Sequence, residues 1–168
     1  MPIYAAYGSN LDPEQMALRA PHSPLLGTGW LTGWRLTFTG LAAERDGALA
    51  TVVEHPAARV FVALYDLTEA DERSLDAWED ADLTDFAKLH VRVRLIRALG
   101  LGGRSAIGEQ PSLLGPGEGE QVRAYLYVAA GFEGGLPSPH HLTAIADAAA
   151  RAGAPADYVA DLRGRPTR

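Results

Sequence analysis

The chain has 168 residues, 47% of them hydrophobic, and a formal net charge of −6. That is enough apolar material for one domain spanning 1–168 with its own core, and too much for a disordered chain. The acidic balance and the lack of a long basic run argue against nucleic acid or an anionic membrane as partner. The absence of cysteine excludes disulfides, thiolate catalysis and cysteine-ligated zinc. Met1-Pro2-Ile3 opens on a strand pattern rather than a signal peptide, and no apolar run reaches the length of a membrane span. A cytoplasmic address is expected. The abundance of Ala, Gly and Arg suggests a GC-rich bacterial genome and says nothing of chemistry.

In chain order, the apolar run Tyr4-Ala5-Ala6-Tyr7 stops at Gly8-Ser9-Asn10. Asp12-Pro13-Glu14-Gln15 then reads as a helix start. Asp12 can cap, Pro13 suits the first helical position, and Gln15 stands where a capping box needs Glu or Gln. Strand, tight polar loop and helix N-terminus in this order gather backbone N–H groups and a positive helix end around a small space, which suits a carboxylate. Gly8 leaves the backbone open to a ligand. The plain alternative is an ordinary polar strand-to-helix turn. Ser9 lacks the Gly-x-Ser-x-Gly setting of a nucleophile, so Ser9 and Asn10 are read as loop hydrogen-bonding groups.

Trp30 to Gly40 reads as a half-buried strand by its alternation from Trp34 on. Ala48–Val53 and Val60–Tyr65 read as two more strands, with a turn at Pro56 between them. Thr68-Glu69-Ala70-Asp71 starts a helix with Thr68 as its cap. Leu75 and Glu79 share a face of that helix, and Asp80, Asp82 and Asp85 make its end acidic and loop-like. His90–Leu95 alternates strictly. Ala98 to Glu120, rich in Gly and with Pro111 and Pro116, reads as a long connection. Val122–Val128 alternates again, with Arg123, Tyr125 and Tyr127 on one side. Ser138-Pro139 caps a long helix from His140 to about Ala152, closed by Gly153. A short helix, Asp157–Leu162, and a frayed tail, Arg163–Arg168, end the chain. Strands outnumber helices without alternating with them, an α+β pattern.

Several residues could carry chemistry. Glu79, beside Trp78, would have its pKa raised toward neutrality in an apolar pocket, as an acid/base catalyst requires; the alternative is a solvated glutamate at a helix end. Tyr125 and Tyr7 each read either as cavity-lining or as core tyrosines with one satisfied hydroxyl. The five histidines show no ligand spacing, and neither a metal nor another cofactor is expected.

Tyr7-Gly8-Ser9-Asn10-Leu11 resembles the signature loop of the gamma-glutamylcyclotransferase-like superfamily. Leu75-Asp76-Ala77-Trp78-Glu79 resembles its Leu-Asp-x-x-Glu segment, Val122–Leu126 its late strand with an inward tyrosine, and Pro137-Ser138-Pro139, Gly153-Ala154-Pro155 and Tyr158 its closing helices. These matches come in family order from about Tyr4 to Leu162. The resemblance implies a small, largely antiparallel barrel-like sheet with flanking helices. It implies a small-molecule γ-glutamyl substrate, bound by Tyr7, Gly8, Ser9, Asn10 and Leu11 with Phe86 and Tyr125, and Glu79 as catalytic acid and base. The product would be 5-oxoproline with a free amine. Asp76 is read as structural, bonding backbone in its helix. Three positions depart from the family pattern: Phe86 where a tyrosine is frequent, His141 where tyrosine can occur, and Asp80 where glycine is common. They leave the leaving amine open among an amino acid, a polyamine, a lysine side chain and a glutathione-like peptide. They also leave open a non-catalytic small-molecule binding domain on the same fold.

Overall fold

A computed structural model describes residues 2–39, 47–80, 86–98, 119–129 and 133–168, without the side chains of Glu79, Asp80 and Ala98. Its strands are β1 (Ile3–Ala6), β2 (Leu25–Phe38), β3 (Ala50–Asp66), β4 (Phe86–Ala98) and β5 (Gln121–Ala129). Its helices are α1 (Pro13–Arg19), α2 (Glu69–Asp80), α3 (Pro139–Arg151) and α4 (Ala156–Arg163), with a 3-10 turn at Ser9–Leu11.

Tyr4 of β1 pairs with Tyr65 of β3 on one side and with Tyr125 of β5 on the other. That double pairing closes the sheet into a barrel of order β1-β3-β2-β4-β5. Every contact is antiparallel except β1 with β5. The fold is therefore α+β, a closed and largely antiparallel barrel with flanking helices. Among the described residues no helix is long and apolar enough to cross a membrane.

Directly paired residues share a face of a sheet, so the register sorts the side chains. Ala5, Leu31, Val62, Leu64, Val91, Val93, Ala124 and Leu126 fall on one face and are all buried. Closure makes that face the barrel interior. Tyr4, Tyr65, Tyr125 and Tyr127 fall on the other, which the 3-10 turn and α2 cover. Both faces of the central strands are thus dry, and this is why Val60–Tyr65 shows no apolar/polar alternation.

Pro56 marks a bulge rather than the expected turn. The strands read as Ala48–Val53 and Val60–Tyr65 belong to one 17-residue strand. Its register with β2 runs Thr32↔Arg59 and then Trp34↔Glu54, so His55, Pro56, Ala57 and Ala58 stand opposite Gly33 alone. The excursion is exposed, where a proline with no N–H to give costs no ladder bond. Gly33, at φ +86, accommodates the kink.

The C-terminal tail is tied down rather than frayed. Arg165 Nη1 donates to the Leu36 carbonyl at 2.6 Å, and the Arg168 N–H to the Pro137 carbonyl at 3.1 Å. Of the long connection expected over Ala98–Glu120, Ala98 ends β4 and Gly119 and Glu120 are described, while residues 99–118 and the acidic stretch from Asp82 to Asp85 lie outside the described residues.

Candidate functional site

The loop after β1 turns at once into the 3-10 helix. The N–H groups of Leu11 and Asp12 return to the carbonyls of Gly8 and Ser9 at 3.0 and 3.2 Å. Leu11 is fully buried and plugs the core beneath the turn. Asn10 is 4% exposed; its Nδ2 donates to the Tyr4 hydroxyl at 3.1 Å, and its Oδ1 accepts from Arg19 Nη1 at 2.5 Å. The Gln15 amide lies 3.1 Å from Ser9 Oγ rather than closing a capping box. The end of α1 is occupied by its own cap: Asp12 accepts from the Glu14 N–H at 3.0 Å and from Arg151 Nη1 at 2.6 Å. The expected positive helix end therefore does not open onto the space beside Gly8. Among the described residues the cation that does is Arg19.

That space is a cavity of about 310 Å³. Tyr7, Gly8, Ser9 and Asn10 form one wall, with Tyr4 behind them. Arg19 and Trp78 bring in α1 and α2, Leu49 and Ala50 the start of β3, Phe86 and Tyr127 the paired strands β4 and β5, and His141 the first turn of α3. A Cβ placed on Gly8 would find its nearest protein atom, the Ala50 Cβ, 4.0 Å away. The protein leaves that position empty although a side chain would fit.

The register explains which aromatic residues reach the cavity. Lys88 pairs with Tyr127, and His90 with Tyr125. Tyr125 and Tyr127 share a face, but only Tyr127 lies on the cavity wall. Tyr125 is packed under Tyr4 and Tyr127, with ring centroids 5.7 Å from each, and Lys88 Nζ lies 5.0 Å from its ring centre. Burial pushes its hydroxyl pKa up to about 12. Of the expected substrate-binding residues, Tyr7, Gly8, Ser9, Asn10 and Phe86 line the cavity, whereas Leu11 and Tyr125 do not.

Tyr127 ties three elements together. Its carbonyl accepts from the Tyr7 hydroxyl, and its own hydroxyl donates to the Asp76 carboxylate on α2. Asp76 also meets Lys88 Nζ at 2.9 Å, and Lys88 reaches Glu72 at 2.7 Å. Burial alone would lower the Lys88 pKa, but the two carboxylates outweigh it and raise it. Burial, reinforced by the Asp76 carboxylate, drives the Tyr127 hydroxyl far above its ordinary value, so it stays a donor. Asp76 thus bonds side chains of two strands, not the backbone of its own helix.

Trp78 is 51% exposed at the cavity rim, and the Arg19 guanidinium lies 4.5 Å over its ring. Glu79 is the next residue of α2; its side chain, like that of Asp80, lies outside the described residues. His141 donates its backbone N–H to the cap Ser138 at 3.1 Å and sets its ring against Phe38. Among the described residues no group of three His, Asp or Glu is placed to hold a metal.

Sequence reasoning missed Tyr4, Arg19, Leu49, Ala50 and Tyr127 as wall residues. The one usable signal was that Arg19 sits one helical turn after Gln15, on the face of α1 that meets the loop.

The fold and the cavity define a small barrel protein with a ligand-sized pocket at the loop after its first strand. The chain belongs to the gamma-glutamyl cyclotransferase, AIG2-like family, whose sequence model matches residues 4–143. Gamma-glutamylcyclotransferase of Mus musculus is 24% identical over 165 residues, which cover 96% of this chain and 77% of the relative. The Homo sapiens protein of that name is 23% identical over the same coverage. A solved gamma-glutamyl cyclotransferase structure superposes with a TM-score of 0.78 at 22% identity, covering 99% of this chain and 89% of that one. At that identity the superposition speaks for the fold.

Proposed function

We propose that this protein is a gamma-glutamylcyclotransferase-type enzyme, releasing 5-oxoproline and a free amine from a γ-glutamyl compound. The observation that carries the reading is the meeting of two segments far apart in sequence. The loop Tyr7–Asn10 and the end of α2 at Trp78, next to Glu79, border one cavity. A general base must stand within hydrogen-bond reach of the proton it takes, and a cavity bordered by both segments supports Glu79, the neighbour of Trp78, in that role.

In this reading the substrate's α-carboxylate sits at the loop, against Ser9, Asn10 and the open backbone at Gly8. Glu79 takes a proton from the α-ammonium. The freed amine attacks the γ-carbonyl carbon of the same molecule, forming the new C–N bond. As the tetrahedral centre collapses the old amide C–N bond breaks, the ring nitrogen gives up a second proton, and the departing nitrogen takes both protons, one of them returned by Glu79, to leave as an ammonium. Both reacting groups belong to one molecule, so the protein's work is to fold the substrate, steady the oxyanion and manage protons. No cofactor enters the step. Family membership supports the reaction class, and the Tyr127–Asp76–Lys88 links support a fixed position for the helix that bears Glu79.

The test is Glu79→Gln with 5-oxoproline measured by mass spectrometry. The amide keeps size and hydrogen bonding but cannot carry the proton, so turnover falls by about 10²–10⁴-fold with KM little changed. Wild-type turnover in the variant removes Glu79 from its role. The wall at Phe86 offers no hydroxyl, which favours a second reading, a binding domain without catalysis. Wild-type protein that binds γ-glutamyl compounds and yields no 5-oxoproline would establish it.

A further inference from the structure

We infer that the site selects γ-glutamyl compounds whose departing amine carries an apolar or aromatic side group, seated against Trp78 and Phe86. The inference rests on the cyclotransferase reading above and names the substrate class it acts on.

The cavity wall carries it. Three tyrosines line the cavity, yet each hydroxyl is engaged within the protein. Tyr4 accepts from Asn10, Tyr7 donates to the Tyr127 carbonyl, and Tyr127 donates to Asp76. With the Tyr7 and Tyr127 hydroxyls donating within the protein, what these two side chains offer a ligand is chiefly ring surface. Phe86 adds a ring set edge-on to Tyr127, with centroids 6.5 Å apart, and has no polar side-chain atom at all. Among the described residues the polar side chains on the wall are Ser9, Asn10 and Arg19, where the glutamyl head is placed, and His141 from the first turn of α3.

Trp78 is the second observation. Trp78 is half open to solvent and lines the same cavity as Phe86, so a compact apolar tail seated there would remove apolar surface from water. Arg19 bonds Asn10 and lies over the Trp78 ring, so one side chain joins the polar seat to the aromatic surface. Among the described wall residues the fixed charge is the Arg19 guanidinium, and like charge there disfavours a tail bearing a second ammonium, as in polyamines and lysine side chains. A cavity of about 310 Å³ is at the small end of ligand pockets, which suits a glutamyl group with one compact tail.

The experiment compares kcat/KM for 5-oxoproline release from γ-glutamyl-phenylalanine, γ-glutamyl-glycine and γ-glutamyl-spermidine. The phenylalanine compound should exceed the glycine compound by about 10–200-fold, the discrimination an apolar pocket gives, and spermidine should be poorest. Trp78→Ala and Phe86→Ala, both folded by circular dichroism, should each shrink the phenylalanine-to-glycine ratio. Equal values for phenylalanine and glycine, or spermidine as the best substrate, would overturn the inference and leave the reaction standing. No 5-oxoproline from any of the three would overturn the cyclotransferase reading itself, and the inference with it.

Discussion

Replacing Gly8 by alanine separates what the fold needs from what the site needs. The new methyl would meet only the Ala50 Cβ, at 4.0 Å, an ordinary van der Waals contact. The residue's φ of −106° is not left-handed. Stability should therefore stay within about 0.5 kcal/mol of wild type, as for substitutions that touch no special feature. The same substitution at Gly135 puts a Cβ 1.8 Å from the Thr39 carbonyl oxygen and should cost about 1–3 kcal/mol or more by overpacking. At Gly8 the methyl adds to the cavity wall, at the place where the proposed reaction has the substrate's carboxylate approach the backbone. A displacement of about 1 Å in that seat costs on the order of 10²-fold in turnover, or about 2.7 kcal/mol of transition-state stabilisation. The assay pairs thermal melts with kcat/KM for 5-oxoproline release. Gly8→Ala protein that melts like wild type and turns over like wild type would show that the loop backbone is not the carboxylate seat. A fall in melting temperature matching that of Gly135→Ala would show that the loss comes from folding.

Tyr127→Phe removes the hydrogen bond to Asp76. Bonds to charged groups contribute about 1.5–3 kcal/mol, but the Asp76 side chain is about a third exposed, so solvent screening brings the expected loss to about 1 kcal/mol in urea unfolding. Combined with Asp76→Asn, the double variant should lose less than the sum of the singles; strictly additive losses would mean that the two groups are uncoupled. Asp71, 4% exposed, is pushed up by burial, but hydrogen bonds from Ser23 Oγ at 2.7 Å and the His22 N–H at 2.8 Å outweigh this and lower its pKa. A folded pKa below the unfolded value of about 3.9 means that its stabilisation is present above that pH and lost as pH falls through the folded value. Stability should drop more steeply below about pH 4 in wild type than in Asp71→Asn, and parallel curves would refute the shift.

The Asp71 contacts show how the sheet and α2 are joined away from the cavity. Ser23, in the connection before β2, donates to Asp71 and also accepts from the Thr68 N–H at 3.2 Å. This fixes the N-terminal end of α2, while Asp76, through Tyr127 and Lys88, fixes its middle. The cavity end of the helix, at Trp78, follows from those two attachments.

What the sequence determined by itself is local. Asp12 bonds the Glu14 N–H, Thr68 the Asp71 N–H and Ser138 the His141 N–H. Each cap joins residues two or three apart, so spacing alone exposes it. The strict alternation at His90–Leu95 and the loop Tyr7–Leu11 were legible for the same reason, and the ordered motifs gave the α+β barrel. Period 2 placed Tyr125 and Tyr127 on one face but could not say which of them reaches the cavity. That follows from the pairing of β5 with β4 and from where β1 closes the barrel. The bond between Tyr127 and Asp76 spans 51 residues, and the Tyr7 bond to Tyr127 spans 120. Bulging of β3 at Pro56 instead of a turn, burial of Leu11 under its loop, and the meeting of Arg19 with Trp78 were likewise decided in three dimensions. A side-chain period repeats along one strand or helix, whereas a cavity is made where several of them end, and only strand register and closure fix which residues stand there.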